Sequence, residues 1–461
     1  MVTPQRSLLL LVYVFTTLGL MAFLLPEKVE LVAGQFLQIP RTEDFMPWKT
    51  RQQYADISAI QKNLAASPKK VEKSAQKPTL DPKLVIQLPP DKPDVLQGFL
   101  KSLRQLNQET LPVRVLHFGD SQLEGDRITG TLRAYFQQQF GGCGLGTLPI
   151  SNVYYRNHVL PQTRGNWLRN NFRLGKNARR SERLGVLGYR FSFAGQGEMK
   201  LQIAPAQYKI TSIEQLRVWY ANPQTDMSLQ ISTDGQSATK YDILSTAQFS
   251  MLEAPLTKNP KNIQLQFKSS QRAEVYGIAL DCPRGVTFDN IPLRGSSGVE
   301  FTQFDREWLK AQLQVMNVKL LILQFGVNIV PYVRQDYKFY EDQFYEELQF
   351  LKSLAPDISI LVVGVSDMSR KVKGNYVSYP NIEKIRQAQK QAAFRAGCAF
   401  WDLYEAMGGA NSMPAWVFAK PALATMDFTH FSQEGADLVA QMLFKGLMDQ
   451  YEKSLAQQQM P

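Results

Sequence analysis

The chain has 461 residues, with 44% hydrophobic and 11% aromatic residues, enough apolar material for two or three domains and too much for a chain disordered throughout. Lys and Arg number 52 against 41 Asp and Glu, a formal charge of +11. The basic residues are scattered, with small clusters such as Lys69-Lys70 and Arg179-Arg180, and no nucleic-acid motif accompanies them. A basic surface facing an anionic envelope polymer or a membrane therefore fits the excess, and no nucleic-acid partner is expected.

Residues 7–25, SLLLLVYVFTTLGLMAFLL, form an uncharged apolar run of the length that crosses a bilayer as a helix, and no small-x-small cleavage site follows it. Arg6 and the amino terminus precede the run and Glu27, Lys28 and Glu30 follow it, a bias that leaves the N-terminus cytoplasmic. The expectation is a transmembrane signal anchor over 1–26, holding the chain to an inner membrane with its bulk in the periplasm. A Pro- and Lys-rich stretch then reads as an extended tether over 27–93, since dense proline breaks helices and the charge is solvated.

The globular part begins near 94 with DVLQGFLKSLRQLNQ, whose apolar residues recur at helical spacing. The apolar strand VLHFGDSQLEGD follows and runs directly into a Gly-Asp-Ser turn at Ser121, then the helix ITGTLRAYFQQQF. The glycine-rich GGCGLG at 141–146 follows a helix and opens none, so it is not a dinucleotide loop. From 147 to 285 the texture changes to short alternating runs (YRFSFA, MKLQIA, QLRVWY, SLQIST, IQLQFK, VYGIAL) broken by turn pairs such as Asp234-Gly235, which predicts an inserted β-sandwich. Trp167, Trp219 and Tyr220 lie in it. Trp219 is the candidate for stacking on a sugar ring, with packing of the sandwich core as the more ordinary reading. Beyond 286, apolar strands alternate with amphipathic helices, the pattern of a parallel sheet covered on both faces. Ligands of such sheets lie beyond the carboxyl ends of the strands.

Three groups stand at strand ends or in loops. Ser121 closes the first strand, Asn328 follows LLILQFGV, and Asp427 precedes His430 by three positions in MDFTHFSQEGA. The chain holds three histidines, His117, His158 and His430. His117 lies inside a strand and reads as packed and hydrogen-bonded, and His158 has no carboxylate pattern around it. A serine needs a base within hydrogen-bond reach, and the base needs a group to orient it. Asp120 and Asp126 read as braces of the turn, Asp367 in VVGVSDMSRK as a candidate lining of the pocket, and Ser432 as the cap of the last helix. Cys143, Cys282 and Cys398 are odd in number and far apart, so small buried residues are expected and no disulfide framework or metal cluster.

With these blocks the sequence resembles the SGNH, or GDSL, hydrolase superfamily. GDSQLEGD matches its first block with Ser121 as nucleophile, Gly326-Val327-Asn328 its third, and Asp427-Phe428-Thr429-His430 its fifth. The second block is a lone glycine, Gly295 or Gly298 in DNIPLRGSSG, with Gly295 favoured by spacing. Ile329 follows Asn328 where many relatives carry a polar residue. The peptidoglycan O-acetylesterase branch has a similar layout, with a carbohydrate-module-like sandwich inserted after the first block. The resemblance implies an α/β fold, a three-layer α/β/α parallel sheet over 94–146 and 286–461 with the sandwich over 147–285. It also implies a Ser121–His430–Asp427 triad, an oxyanion hole from Ser121, Gly295 and Asn328, and no cofactor or metal. The expected activity is O-acetyl ester hydrolysis on peptidoglycan or another envelope glycan. The alternatives are an O-acetyltransferase fed by a membrane acyltransferase and a non-catalytic glycan-binding protein.

Overall fold

The computed structural model describes residues 4–24, 28–32, 35–38, 54–62, 80–153, 159–172, 183–204, 212–222, 224–257 and 259–458. Two compact units result. The smaller takes Met1–Tyr54 and Arg370–Val377. In it the apolar run folds as helix α1 (Pro4–Leu24), with Leu8, Leu9, Leu10 and Phe15 exposed, and strands β1 (Lys28–Val32) and β2 (Gln35–Gln38) pair antiparallel. Among the described residues no helix is long and apolar enough to cross a membrane. The spanning helix expected over 1–26 is therefore not among the structural findings, and the side chains of residues 1–6 and 21–32 lie outside the described ones.

The larger unit opens with α2 (Ser58–Lys62) and α3 (Gln97–Arg104), then β3 (Val113–Gly119) and α4 (Arg127–Phe140). Strands β4 (Gly144–Leu148), β5 (Val159–Gly165), β6 (Leu168–Asn171), β7 (Tyr189–Ile203), β8 (Gln215–Asn222), β9 (Met227–Thr233), β10 (Thr239–Ile243), β11 (Thr246–Pro255) and β12 (Asn262–Asp281) follow, with no helix between them among the described residues. The chain returns through β13 (Val286–Pro292), α5 (Arg306–Val315), β14 (Val318–Gln324), α6 (Lys338–Leu354) and β15 (Ser359–Val363). After the small hairpin of β16 (Ser369–Val372) and β17 (Asn375–Ser378) it closes with α7 (Ile382–Arg395), β18 (Ala399–Trp401), α8 (Leu403–Ala406), α9 (Ser412–Val417) and α10 (Gln433–Gln458).

Five strands form one sheet in the order β13-β3-β14-β15-β18, every pairing parallel. All seven residues of β3 and of β13 are buried, as strands covered on both faces require. On one side Phe136 of α4 packs 4.8 Å from Phe288 of β13 and 5.2 Å from Phe444 of α10, ring centre to ring centre. On the other, Leu116, Phe118, Leu321 and Leu323 share a core with Phe344, Leu348 and Ile385 from α6 and α7. The first strand lies inside the sheet with its two successors on opposite sides, so the crevice between the carboxyl ends of β3 and β14 is the topological switch point where doubly wound sheets bind ligands.

The strands between α4 and β13 make one nine-stranded antiparallel sheet, folded over a core of its own that includes Phe193, Leu201, Leu229, Leu265 and Phe267. Two strands are longer than their sequence suggests. YRFSFA and MKLQIA are halves of β7, and IQLQFK and VYGIAL are halves of β12. A bulge between Ser269 and Ala273 bends β12, whose first half pairs β7 and β9 and whose second half pairs β8 and β4. The antiparallel region begins at Gly144, ahead of the expected 147, because β4 pairs with the end of β12.

That pairing brings together two cysteines whose connection was not expected. Cys143 and Cys282, 139 residues apart, form a disulfide across the neck of the inserted sheet, and Cys398 is free and buried. Beside it, Arg114 of β3 donates to Asp289 and to Asp281 at 2.7 Å each, and Arg217 of β8 also bonds Asp281, all nearly solvent-free. Cutting a crosslink over so long a loop should lower stability by about 2–5 kcal/mol. Cys282→Ser should therefore shift the guanidinium unfolding midpoint of the chain downward, and an unchanged midpoint would mean that the ion-pair network holds the neck alone.

The tether expected over 27–93 is in part folded. Residues 63–79 lie outside the described ones, but Leu84 and Ile86 are buried. Gln87 exchanges backbone hydrogen bonds with Phe400 at 2.8 and 2.9 Å, which covers the edge strand β18. Ile57, ahead of α2, is buried as well. These apolar side chains make the segment part of the fold.

Candidate active site

Gly119 ends β3, and the chain turns at Asp120 into a single 3-10 turn, Ser121–Leu123. Asp120 caps that turn by accepting the Gln122 N–H at 3.0 Å. The cap leaves Ser121 at the first position, half-exposed at the switch point, with its hydroxyl 2.8 Å from His430 Nε2. His430 Nδ1 lies 2.7 Å from Asp427 Oδ2. The same carboxylate accepts the backbone N–H groups of Thr429 and His430 at 3.0 Å each and the Thr425 hydroxyl at 2.7 Å. Burial works against its ionisation, yet the bonds from His430, Thr425 and Thr429 hold the Asp427 carboxyl down at about 2. A carboxylate so fixed keeps the proton of the ring on Nδ1 and presents Nε2 to Ser121 as acceptor. Asp427 does not cap α10; Ser432 does, accepting the Gly435 N–H at 3.1 Å.

The histidine loop is laced to the serine turn by two residues that the sequence reading did not single out. The Gln122 amide donates to Thr429 C=O at 2.7 Å and accepts the Phe431 N–H at 3.3 Å, so it holds the backbone on both sides of His430. The Arg127 guanidinium bonds the carbonyl of Phe431 and, at 3.4 Å, that of Ser121. Gln122 lies in the first block next to the serine, and Arg127 follows the block where helix α4 opens.

Asn328 stands beyond β14 in the loop that Gly326 opens. Gly326 has φ +130°, and a Cβ there would strike Val365 and Gln389, so glycine alone fits. The backbone N–H groups of Gly326 and Val327 bond the Asp120 carboxylate, which ties this loop to the serine turn. Asn328 donates one amide hydrogen to Ser296 C=O at 2.8 Å, so its side chain is held toward the loop after β13. An amide has a second hydrogen to offer. That loop carries both candidate glycines. Gly298 is buried, its N–H is taken by the Ser296 hydroxyl at 3.0 Å, and a Cβ on it would enter the rings of Phe325 and Phe344. Gly295 is exposed with φ +81°. Gly298 is thus a packing glycine.

Asp120 is almost solvent-free, and burial lifts its carboxyl to about 7 against its backbone donors and the nearby His430 ring. A carboxyl whose folded value is raised contributes stability that is present below the unfolded range near 4 and is lost as pH rises toward 7. Asp120→Asn removes that titration. The melting temperature of the variant relative to wild type should climb between pH 4 and 7 and level off above it; a difference independent of pH would show that the Asp120 carboxyl titrates in the fold as it does in the unfolded chain.

Two expected contacts are not part of the site. Trp219 is 2% exposed, stacks 6.2 Å from Phe249 and carries the Arg114 guanidinium 5.5 Å from its ring centre, so it packs the core and cannot meet a sugar. Trp167 also packs, against Phe193 and Phe267, where Gly197 leaves room for its ring. Asp367 is buried and accepts the N–H groups of Met413 at 2.8 Å and Met368 at 2.9 Å; it fastens the start of α9 to the loop after β15. His117 is buried between Gln324 and Thr129 at 3.1 and 3.0 Å, and burial lowers it to about 4. Asp126 pairs with Arg133 at 2.8 Å. His158 lies outside the described residues. Among the described residues the one grouping able to share a cation is Cys143, Glu214 and Cys282, and its two sulfurs are bonded to each other.

The first, third and fifth blocks are gathered at one crevice, as the resemblance to the SGNH hydrolases implies. The chain matches a solved peptidoglycan O-acetylesterase at a TM-score of 0.61 and 20% identity, over 77% of this chain and 96% of that one, a likeness that shows the fold. A family two carbohydrate esterase from Cellvibrio japonicus (TM-score 0.25, 9% identity, 64% and 99% covered) and an acetyl xylan esterase (0.28, 16%, 35% and 81%) are far more remote. No protein-family model matches the sequence, and no curated protein matches it.

Proposed function

We propose that this chain is a serine esterase that removes O-acetyl groups from peptidoglycan or another cell-envelope glycan. The observation that carries the reading is the unbroken relay from Ser121 through His430 to Asp427 at the switch point. In the first half-reaction His430 Nε2 takes the hydroxyl proton as Ser121 Oγ attacks the acetyl carbonyl. The oxyanion receives hydrogen bonds from the N–H groups of Ser121 and Gly295 and from the Asn328 amide. Collapse breaks the ester C–O bond, and His430 returns the proton to the departing sugar hydroxyl. Water, deprotonated by the same ring, then attacks the acetyl-serine, and acetate leaves.

The envelope assignment has separate support. A disulfide persists in oxidising compartments, which favours placing the Cys143–Cys282 neck outside the cytoplasm. The uncharged run over 7–25 supports an inner-membrane anchor with a periplasmic catalytic unit. The similar solved structure is a peptidoglycan O-acetylesterase. The test is incubation of the chain with O-acetylated peptidoglycan and no added acceptor. Free acetate is the expected product. Acetate that is released only slowly while acetyl groups move to a second, unacetylated glycan would identify a transferase acting through the same serine. Neither product would leave a glycan-binding protein.

A further inference from the structure

We propose that Glu300 is a positioning residue for the oxyanion hole, acting on Asn328 through the backbone of Ser296, a role that rests on the esterase reading above. Glu300 opens the 3-10 turn Phe301–Gln303, and an acid in that place ordinarily serves the N–H groups of its own turn. Its side chain makes no such bond. Glu347 of α6 serves the turn instead, accepting the Thr302 N–H at 2.7 Å and the Thr302 hydroxyl at 2.9 Å. The Glu300 carboxylate is turned back on the loop after β13. Oε2 accepts the Ser296 hydroxyl at 2.5 Å and the Val299 N–H at 2.9 Å, and Oε1 accepts the Ser297 N–H at 3.4 Å. Donors to a carboxylate make the stronger class of hydrogen bond.

Ser296 is fully buried, and each of its polar groups is engaged. Its N–H donates to Leu293 C=O at 2.9 Å. Its hydroxyl, donating to Glu300, also accepts the Gly298 N–H at 3.0 Å. Its carbonyl accepts the Asn328 amide at 2.8 Å. Without Glu300 the Ser296 hydroxyl would lose its acceptor in a buried setting, and the loop would turn to find another. The carbonyl that fixes Asn328 would turn with it.

Glu300 is itself fastened to the sheet. Phe301, beside it, is buried and sets its ring 5.2 Å from Phe118 near the end of β3 and 6.0 Å from Phe325, the residue before Gly326. The Tyr340 hydroxyl of α6 donates to Ser297 C=O at 3.0 Å and ties the loop a second time. The carboxylate is thus held on the two strands whose ends lead to Ser121 and Asn328, and it draws the loop after β13 toward them.

A misplacement of about 1 Å at a catalytic group costs on the order of a hundredfold in rate. Glu300→Ala should therefore lower kcat for p-nitrophenyl acetate by about ten- to a hundredfold at nearly constant KM. In the Asn328→Ala background the same change should cost no more than about threefold further, because the two residues act through one donor. Glu300→Gln, whose amide oxygen still accepts the Ser296 hydroxyl, should recover most of the loss. A raised KM with kcat kept, or losses that multiply in the double variant, overturns the proposal. A second readout needs no turnover. In the full chain carrying Ser121→Ala, the side-chain amide signals of Asn328 in a proton–nitrogen correlation spectrum, identified by their absence from Asn328→Ala, should shift on Glu300→Ala and return toward their place with Glu300→Gln. Unmoved signals overturn the proposal even where the esterase is active. Moved signals in a chain whose wild type hydrolyses no ester sustain the positioning role, and the esterase reading alone then fails. Glu300→Asp, which draws the carboxylate back by one methylene, carries both measurements if the alanine variant does not fold.

Discussion

Ser121→Ala and His430→Ala should each lower turnover of p-nitrophenyl acetate by about ten-thousandfold to a millionfold, and the double variant should lose no more than either alone. The relay geometry requires this. With Oγ 2.8 Å from Nε2, the serine is a nucleophile only while the ring accepts its proton, and every later task of the ring acts on the acyl-enzyme that Ser121 forms. Removing either partner leaves the same residual catalysis, from binding and the oxyanion donors. Stability should change little, because Ser121 is half-exposed and Gln122, not His430, laces the two loops together. Losses that multiply in the double variant would mean that His430 acts independently of Ser121, and the proposed mechanism would fall. A melting temperature recorded beside each rate keeps a folding defect from passing as a catalytic one.

Much of this site was legible because its parts are local. Gly-Asp-Ser at a strand end, Gly-x-Asn at another and Asp-x-x-His ahead of a capped helix are each complete within a few residues, and alternation of strand with helix is enough to stack them at one edge of a sheet. What escaped depends on register. Cys143 and Cys282 looked like unrelated residues, since only the antiparallel pairing of β4 with the far end of β12 makes them neighbours. That pairing also moved the start of the insert. Short alternating runs could not announce that β7 and β12 continue through their irregularities, because a bulge breaks the period of two without ending the strand. Asp367 looked like a pocket residue from its place after a strand, but α9 folds back over it and supplies its donors. Trp219 shows the limit of composition. A large ring on a strand is equally a ligand platform or a core residue until the opposite layer is known, and here Phe249 and Arg114 both pack against the buried ring. The bracing role of Asp120 toward Gly326 and Val327 follows from β3 lying next to β14, an adjacency that topology alone provides.

Asn328→Ala separates the oxyanion hole from the relay. One amide hydrogen of Asn328 is committed to Ser296 C=O, which fixes the side chain against the loop bearing Gly295 and leaves the other hydrogen for charge that develops only as Ser121 attacks. A donor used in the transition state and not in the ground state affects the rate constant and leaves affinity alone. The variant should lose about a hundred- to a thousandfold in kcat, or roughly 3–4 kcal/mol, at nearly constant KM. The tie to Ser296 contributes a second, structural effect, so the melting temperature serves as the control. A small decrease with the full kinetic loss supports the oxyanion role. An elevated KM with kcat retained would make Asn328 a ground-state contact, and the oxyanion would then rest on the backbone N–H groups of Ser121 and Gly295 alone.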